Sequence, residues 1–394
     1  MNILFLFVLL PDIKAGNDLF TSLIKEFRSH GHNVFVSTKG NYTSKTKIII
    51  EDDIPVLRIK SHNFIGVKNN VKKALAYQEY SIKQAYYTYH YFKDENIDLI
   101  IIHSLPPEIS LIVWPLKRRN KCPVFLIQTD YTWQDAVAFG FFSKNGLVAR
   151  YYRFLERKMF GLSDKIGCPT KGNIGFIKKE YPNLSDKKFQ FLPLWQSEME
   201  IHPNYALKEA YGLKDKFVVI YGGSIGFAQR IERIIELAEQ CKEYIDIKFV
   251  VLGRGEHVPD INNIIKEKKL SNIVIKQYLP QNEYLQFLAS CDVGLVFLNE
   301  KIATPNFPSK SLSYLNMKVP ILAALDHVTD FGTYLEENNA GLWGYSDDIL
   351  SLKTQLLKYY NSKELRNIIK DNGYKLFKDQ LTPDKAYKTI TTSL

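Results

Sequence analysis

Short runs of Val, Ile, Leu and Phe recur along the chain, separated by longer stretches in which apolar residues return every three or four positions. The short runs show no in-and-out alternation, as expected of strands buried on both faces of a parallel sheet. This rhythm predicts strands over 3–10, 33–37, 99–103, 124–127 and 165–168, with helices over 18–29, 74–92 and 148–160. After Pro193 the rhythm starts again, with strands over 217–221, 247–252, 273–276, 293–297 and 321–324 and helices over 231–241 and 282–289. A strand–helix alternation that restarts implies two α/β domains with ligands at the carboxyl ends of the strands. The expected division is residues 1–195, residues 196–375, and a terminal helix over 376–394 that returns to the first domain. Residues 189–203, punctuated by Pro193 and Pro203, read as the linker, and the helical tail is broken near Thr382-Pro383.

Composition narrows the partners. The 394 residues are 45% hydrophobic, enough for two cores, and carry a formal net charge of +10. That charge favours acidic partners such as nucleotides and phospholipid headgroups. Zinc-finger spacing and a dense Lys/Arg stripe interleaved with aromatics are absent from the sequence, so nucleic acid is not an expected partner. Cys122, Cys168, Cys241 and Cys291 lie far apart beside apolar runs and read as reduced core cysteines of a cytoplasmic protein. The opening MNILFLFVLLP lacks a basic leader and a small-residue cleavage site, and reads as a first strand. No run reaches the roughly 18 apolar residues of a membrane span.

The stretch 293–324 reads as a buried strand, a loop, a helix opening at Pro308-Ser309-Lys310 and a second buried strand. A helix start with a lysine beside it is an anion site, with phosphate the leading candidate; the other reading of Lys310 is a solvated surface lysine. Gly222, Gly223 and Gly226 follow the strand at 217–221 and read as a phosphate-approaching loop or as a plain turn. Arg230 either reaches the same anion or is a surface arginine. Gly253-x-Gly255 is a second glycine loop, and Tyr278-Leu279 follows a strand where backbone could read a base edge or simply turn. Only Gly16 follows the first strand, so a dinucleotide fingerprint is missing and NAD is not expected. In the first half, Asp130 lies just past a strand, as a base or hydroxyl-orienting group or as a turn aspartate. Trp133, Asp135 and His103 fall on the same side. The Phe-rich segment 136–142 beside Lys144, Arg150, Arg153, Arg157 and Lys158 is either a membrane-facing lip or a packing segment. No Asp-x-Asp motif occurs, so no bound metal is expected.

Four segments in this order resemble one family: GHNVFVSTKG, DYTWQDAVAFGFFSKNGLVARYYRFLER, YGGSIGFAQRIERIIELA and FPSKSLSYLNMKVPILA. They are similar to the retaining family 4 glycosyltransferases (glycosyl transferases group 1), in the branch that builds capsule, O-antigen and exopolysaccharide. The resemblance implies an α/β chain of two Rossmann-like domains facing across a cleft, the GT-B fold. It implies a nucleotide-sugar donor, taken as a UDP-sugar, and a saccharide acceptor, taken as lipid-diphosphate-linked, with no cofactor. The protein would then work at the cytoplasmic face of the membrane, in peripheral contact with anionic lipid. Lys310, Arg230 and Asp130 would carry the chemistry. Gly222, Gly223, Ser224, Gly226, Gly253, Arg254, Tyr278, Leu279, Pro308, Ser309 and Ser313 would hold the donor. Gly16, His103, Trp133 and Asp135 would lie on the acceptor side. The sequence departs from the family's pattern at three points. The arginine usual near Ser224 is missing, Ser313 stands where a ribose-holding glutamate is expected, and the first glutamate of that pair falls near Pro305. A sugar-nucleotide 2-epimerase of similar fold and a non-catalytic glycosyltransferase-like binding partner are the alternatives.

Overall fold

In the computed structural model the first apolar run becomes β1 (Asn2–Leu6), shorter than expected, while Phe7, Val8 and Leu10 stay buried beyond its end. The structure describes residues 1–394 apart from 15, 17, 41, 42, 65, 66, 68, 69, 106, 227, 228, 256 and 257, and apart from the side chains of 70, 71, 74, 132 and 260. The chain continues through α1 (Leu19–Ser29), β2 (Asn33–Lys39), β3 (Lys47–Glu51), β4 (Ile54–Ile59), α2 (Asn70–Phe92) and β5 (Leu99–His103). Then follow α3 (Ser110–Asn120), β6 (Val124–Ile127), α4 (Thr132–Ala138), α5 (Leu147–Leu162), β7 (Lys165–Cys168), α6 (Lys171–Glu180) and β8 (Phe189–Phe191). These strands form one sheet in the order β3-β4-β2-β1-β5-β6-β7-β8, parallel throughout except for β3. The β3–β4 hairpin was not anticipated. Its two-residue turn, Asp52-Asp53, has φ of 53° and 59°, the left-handed pair that matches strand twist.

The second unit contains α7 (Tyr205–Ala210), β9 (Phe217–Ser224), α8 (Ile231–Gln240), β10 (Ile247–Arg254), α9 (Val258–Glu267), β11 (Ile273–Lys276) and α10 (Gln281–Leu288). It goes on through β12 (Val293–Phe297), α11 (Lys310–Asn316), β13 (Ile321–Leu325), α12 (Phe331–Glu337), β14 (Gly341–Tyr345), α13 (Ile349–Asn361) and α14 (Lys363–Gln380). Its six strands are parallel, in the order β11-β10-β9-β12-β13-β14. A last helix, α15 (Pro383–Ser393), closes the chain.

Residues 1–197 and 383–394 form one compact unit, and residues 198–382 the other. The segment that rejoins the first unit begins at 383 rather than 376. The physical reason is that α14 runs unbroken to Gln380 and is committed to the second unit. Gly373 lies against Leu315 of α11, where a Cβ would come within 2.9 Å of the leucine methyl. Tyr374 and Lys378 both bond the Glu198 carboxylate. Within the first unit, Tyr387 of α15 stacks on His30 at 3.9 Å and meets Phe27 edge-on at 4.8 Å. The expected linker is likewise ordered at its start. Residues 189–191 are β8, and buried Trp195 donates its indole N–H to the Leu19 carbonyl at 2.7 Å.

One buried ion pair holds the loop that follows β1. The Arg58 guanidinium, fully buried, donates to Glu51 through Nε at 2.8 Å and Nη2 at 2.6 Å. It also donates to the carbonyls of Leu10 at 2.6 Å and Pro11 at 2.8 Å, while Glu51 accepts from the Ile13 N–H at 3.0 Å. Removing one partner would strand the other charge in the core, at a cost of about 3–5 kcal/mol. Glu51→Ala is therefore expected to lower the denaturant midpoint of the protein strongly, more than Glu51→Gln; equal, small shifts in both would show that the pair is not integral to the fold.

Candidate functional site

In the second sheet, β9 lies between β10 and β12, so the chain leaves β9 towards one side through α8 and returns on the other at β12. This reversal of strand order leaves a crevice at the carboxyl ends of β9 and β12, the place where open α/β sheets bind ligands. Helix α11 sits over it. Tyr314 rests on Gly294 of β12, where a Cβ would meet its ring at 2.6 Å. Its hydroxyl accepts from the Gly222 N–H at 3.3 Å and donates to the Leu295 carbonyl at 3.2 Å. One turn earlier, on the same helix face, Lys310 places Nζ 3.7 Å from the centroid of the Tyr221 ring. The same Nζ lies 3.4 Å from where a Cβ on Gly223 would stand. Tyr221 in turn donates its hydroxyl to the Ser224 carbonyl at 2.9 Å, tying the end of β9 beneath the lysine. Burial pushes the Lys310 ammonium down to about 7.

The glycines have specific tasks. Gly222 and Gly223 are not a loop but part of the end of β9, which runs on to Ser224. A Cβ on Gly222 would come within 2.2 Å of the Tyr284 hydroxyl, and Gly223 has φ of 142°. Gly253 pairs with Gly223 in the extended β9–β10 ladder, where a Cβ would be 2.0 Å from the Gly223 carbonyl oxygen. Gly255 is placed still closer, with its Cβ position 1.7 Å from the Ile225 oxygen. The second glycine pair therefore serves close packing of two strand ends. Beyond it, Arg254 lies over the Tyr278 ring at 5.6 Å, bringing two of the expected base-side residues together, with Leu279 next in the turn before α10.

The helix start differs from expectation. Helix α11 has only seven residues, and Ser309, at its N-cap, makes no side-chain capping bond. The N–H groups of Ser311 and Leu312 bond the carbonyls of Pro308 at 2.9 Å and Ser309 at 3.2 Å, so this tight first turn uses donors that were expected to meet an anion. The positive charge at the crevice is thus mainly the Lys310 ammonium. Ser313 lies on the same short helix, half-buried. Arg230 is not a lone cation either. It stands at the N-cap of α8 with φ of 42° and ψ of 56°, and donates Nη1 to Glu300 Oε1 at 2.6 Å. Glu300 was not singled out in the sequence. It follows β12, the strand beside β9, and among the described residues its second oxygen is buried without a hydrogen-bond partner. Gly226, two residues after β9, accepts the Gln229 N–H on its carbonyl at 3.1 Å.

The first sheet has its own reversal, between β1 and β5. His103 ends β5, and Asp130 follows β6. His103 Nε2 lies 2.6 Å from Thr129 Oγ1 and 3.3 Å from Asp130 Oδ2, and the Thr129 hydroxyl donates to Asp130 at 2.6 Å. Burial pushes the Asp130 carboxyl up, but the hydrogen bond and charge of His103 with the Thr129 hydroxyl outweigh it and hold it below the usual range. Gly16 follows β1 in a turn closed by its N–H on the Asp12 carbonyl at 2.7 Å, and a Cβ there would strike Thr21 at 2.7 Å. Trp133 points elsewhere than expected: it is buried and donates to Glu156 at 3.1 Å, beside Gln134 and the Tyr181 hydroxyl on the same carboxylate. Asp135, half-buried on α4, accepts the Phe139 N–H on its backbone oxygen at 2.8 Å. Among the described residues, no group of three His, Cys, Asp or Glu side chains is placed to hold a metal ion.

These features can be set beside known proteins. The family profile described as Glycosyl transferases group 1 matches residues 206–376. The "Probable glycosyltransferase WbjE" of Pseudomonas aeruginosa is 23% identical over 247 residues, which cover 61% of this chain and 61% of that protein. The chain thus spans about three fifths of the length of that curated relative. Among solved structures, WaaG, described as a glycosyltransferase involved in lipopolysaccharide biosynthesis, superposes with a TM-score of 0.67 at 17% identity, over 99% of this chain and 98% of that one. Anabaena Alr3699/HepE in complex with UDP and glucose superposes with a TM-score of 0.69 at 12% identity, over 100% of this chain and 99% of that one. The chain has the GT-B fold, and within it residues 206–376 are similar to the glycosyl transferases group 1 family.

Proposed function

We propose that the protein transfers a sugar from a nucleotide-sugar donor, specifically a UDP-sugar, to a saccharide hydroxyl in the assembly of a bacterial surface polysaccharide. The observation that carries this reading is the Lys310 ammonium, desolvated over Tyr221 and beside Gly223 at the strand-order reversal of the unit that matches the family. When the bond from the anomeric carbon to the donor breaks, negative charge grows on the departing diphosphate. A preorganised cation in a water-poor site stabilises that charge more than it stabilises the intact donor. Arg230, whose charge is balanced by Glu300, would contribute through its remaining guanidinium N–H groups rather than as a free cation. The UDP held by the Anabaena protein supports the choice of nucleotide, and the lipopolysaccharide role named for WaaG supports a polysaccharide or lipid-linked acceptor. Retention of configuration rests on resemblance to the retaining family. In the first unit, Asp130 is kept ionised by His103 and Thr129, as a group that orients an acceptor hydroxyl should be.

A thermal-shift screen of UDP-, GDP- and dTDP-sugars, followed by transfer assays with and without saccharide acceptors, tests the reading. Stabilisation by UDP-sugars and acceptor-dependent product are expected. Epimerised sugar formed without acceptor would replace transfer by epimerisation, and no stabilisation by any nucleotide would remove the donor site altogether.

Lys310→Ala is expected to lower turnover about a hundredfold or more with the melting curve retained, since its charge is met in the transition state. The pH dependence has a definite sign. With the free ammonium at about 7, a bound diphosphate favours its charged form, so binding above that pH takes up a proton. UDP affinity should therefore fall as pH rises above about 7, with proton uptake seen by calorimetry in buffers of different protonation enthalpy. The pH effect should vanish in Lys310→Ala. Asp130→Asn is expected to reduce turnover by about tenfold or more while UDP affinity stays at the wild-type value. Parallel loss of both would assign Asp130 to the fold instead.

A further inference from the structure

Within the first unit a cavity of about 590 Å³ opens at the carboxyl ends of β2 and β4. The two strands are parallel neighbours, and Lys39 at the end of one pairs with Ile59 at the end of the other. The next residues, Gly40 and Lys60, both line the cavity. Gly40 donates its N–H to the Ile59 carbonyl at 2.8 Å. The chain is so close-packed here that a Cβ on Gly40 would stand 3.3 Å from the Ile59 oxygen and 2.2 Å from Thr43 Oγ1. That hydroxyl belongs to a buried residue, 6% exposed, and has no hydrogen-bond partner among the described residues.

The wall is basic. Lys39 is only 4% exposed, with Nζ 5.4 Å from the centroid of the Phe64 ring. Burial, and then the Lys60 ammonium, push the Lys39 ammonium below the ordinary lysine range, so two positive charges face one space. Lys83 reaches in from α2, donating Nζ to the Lys60 carbonyl at 3.3 Å and to Glu79 at 2.6 Å. Glu79 is the one carboxylate among the lining residues. Burial pushes it up, but its hydrogen bonds with Lys83 and His62 outweigh this and hold it at about 2, ionised at neutral pH. Three lysines against one glutamate leave two positive charges in the wall.

Charge and size select a ligand class. A phosphate monoester carries about 1.5 to 2 negative charges at neutral pH, which matches this wall better than the single charge of a carboxylate. The cavity falls within the range of about 300–1,000 Å³ usual for small-molecule sites, and a bare phosphate ion would leave most of it unfilled. Ser61 and Asn63, also in the wall, present groups suited to sugar hydroxyls. The site is separate from Asp130. The sheet order β2-β1-β5-β6 sets the strand of Lys39 three strand spacings, about 14 Å, from the strand that leads to Asp130, a span longer than one hexose.

We propose that this cavity is a second ligand site, taking a phosphorylated monosaccharide whose phosphate meets Lys39, Lys60, Lys83 and the Thr43 hydroxyl. This goes beyond the proposed transfer reaction and does not rest on it. The test is titration calorimetry of the full chain in saturating UDP, with glucose 6-phosphate, inorganic phosphate and glucuronate as probes. One glucose 6-phosphate per chain is expected, with the other two probes weaker by about tenfold or more. Lys60→Glu and, separately, Lys39→Met should each weaken glucose 6-phosphate binding by about tenfold or more, with the melting midpoint of Lys60→Glu unchanged. Lys310→Ala should bind it as the wild type does. Absence of glucose 6-phosphate binding at millimolar concentration, or wild-type affinity in both first-unit variants, would overturn the proposal. Loss of binding in Lys310→Ala would assign the phosphate to the second unit instead, and equal affinity for inorganic phosphate would overturn the sugar-phosphate assignment.

Discussion

Parallel strand pairing is the constraint on which the rest depends. Apart from β3, the strands of both sheets are parallel, so each must be followed by a crossover before the next is laid down. The crossovers cover both faces with helices, and the strands between them are apolar almost without interruption. Polar chemistry is left to the strand ends. Lys310, Arg254, Tyr278 and the Gly222–Ser224 segment all stand at or after the carboxyl end of a strand in one unit, and His103 and Asp130 do so in the other. The reversals of strand order, at β9/β12 and at β1/β5, then select which of these ends can take a ligand.

Charge is handled differently at each position. Arg230 is held by Glu300 in a left-handed conformation that costs a non-glycine residue strain, and the ion pair fixes where its guanidinium lies. Lys310 is kept over an aromatic face, and burial has already weakened its hold on a proton. An arriving diphosphate would restore that hold. Two carboxyls in the first unit show the same contrast. Burial raises Glu156, against the pull of three hydrogen-bonding side chains, in a place where it pins α4 to α5 and α6. Asp130, with His103 and Thr129 beside it, is displaced the other way and stays available as an anion.

Much of the fold was legible because parallel α/β proteins write their strands as unbroken apolar runs. Each of the ten runs read as strands contains one, although the first ends at Leu6, and the break at Thr382-Pro383 separates α14 from α15. The β3–β4 hairpin escaped because its two apolar runs are joined by a two-residue Asp-Asp turn rather than by the helical crossover that marks the other strands. The extent of β9 and β10 was misread for a related reason. Gly222, Gly223 and Gly253 suggested loops, whereas they are positions in two strand ends where neighbouring groups come too close for a side chain or the backbone turns to positive φ. Lys310 and its glycine neighbours could be joined from order along the chain alone. Glu300 could not, because its meaning lies in a contact with Arg230 seventy residues away. Trp133 shows the opposite failure: its place beside Asp130 in sequence suggested a ligand wall, but an indole N–H with a buried carboxylate in reach turns inward.

The return of α15 to α1 makes the first unit discontinuous along the chain, while the second is one uninterrupted stretch. During synthesis, residues 198–382 emerge as a complete set before the helix that covers Phe27, His30 and His32 has been made. Until α15 is made, the first unit holds an uncovered aromatic surface at α1. Deletion of α15 would leave the glycine-rich strand ends and Lys310 in place in the sequence of the second unit. It would instead strip α1, the helix whose capped start follows the Gly16 turn. A defect in α15 would thus be felt at α1.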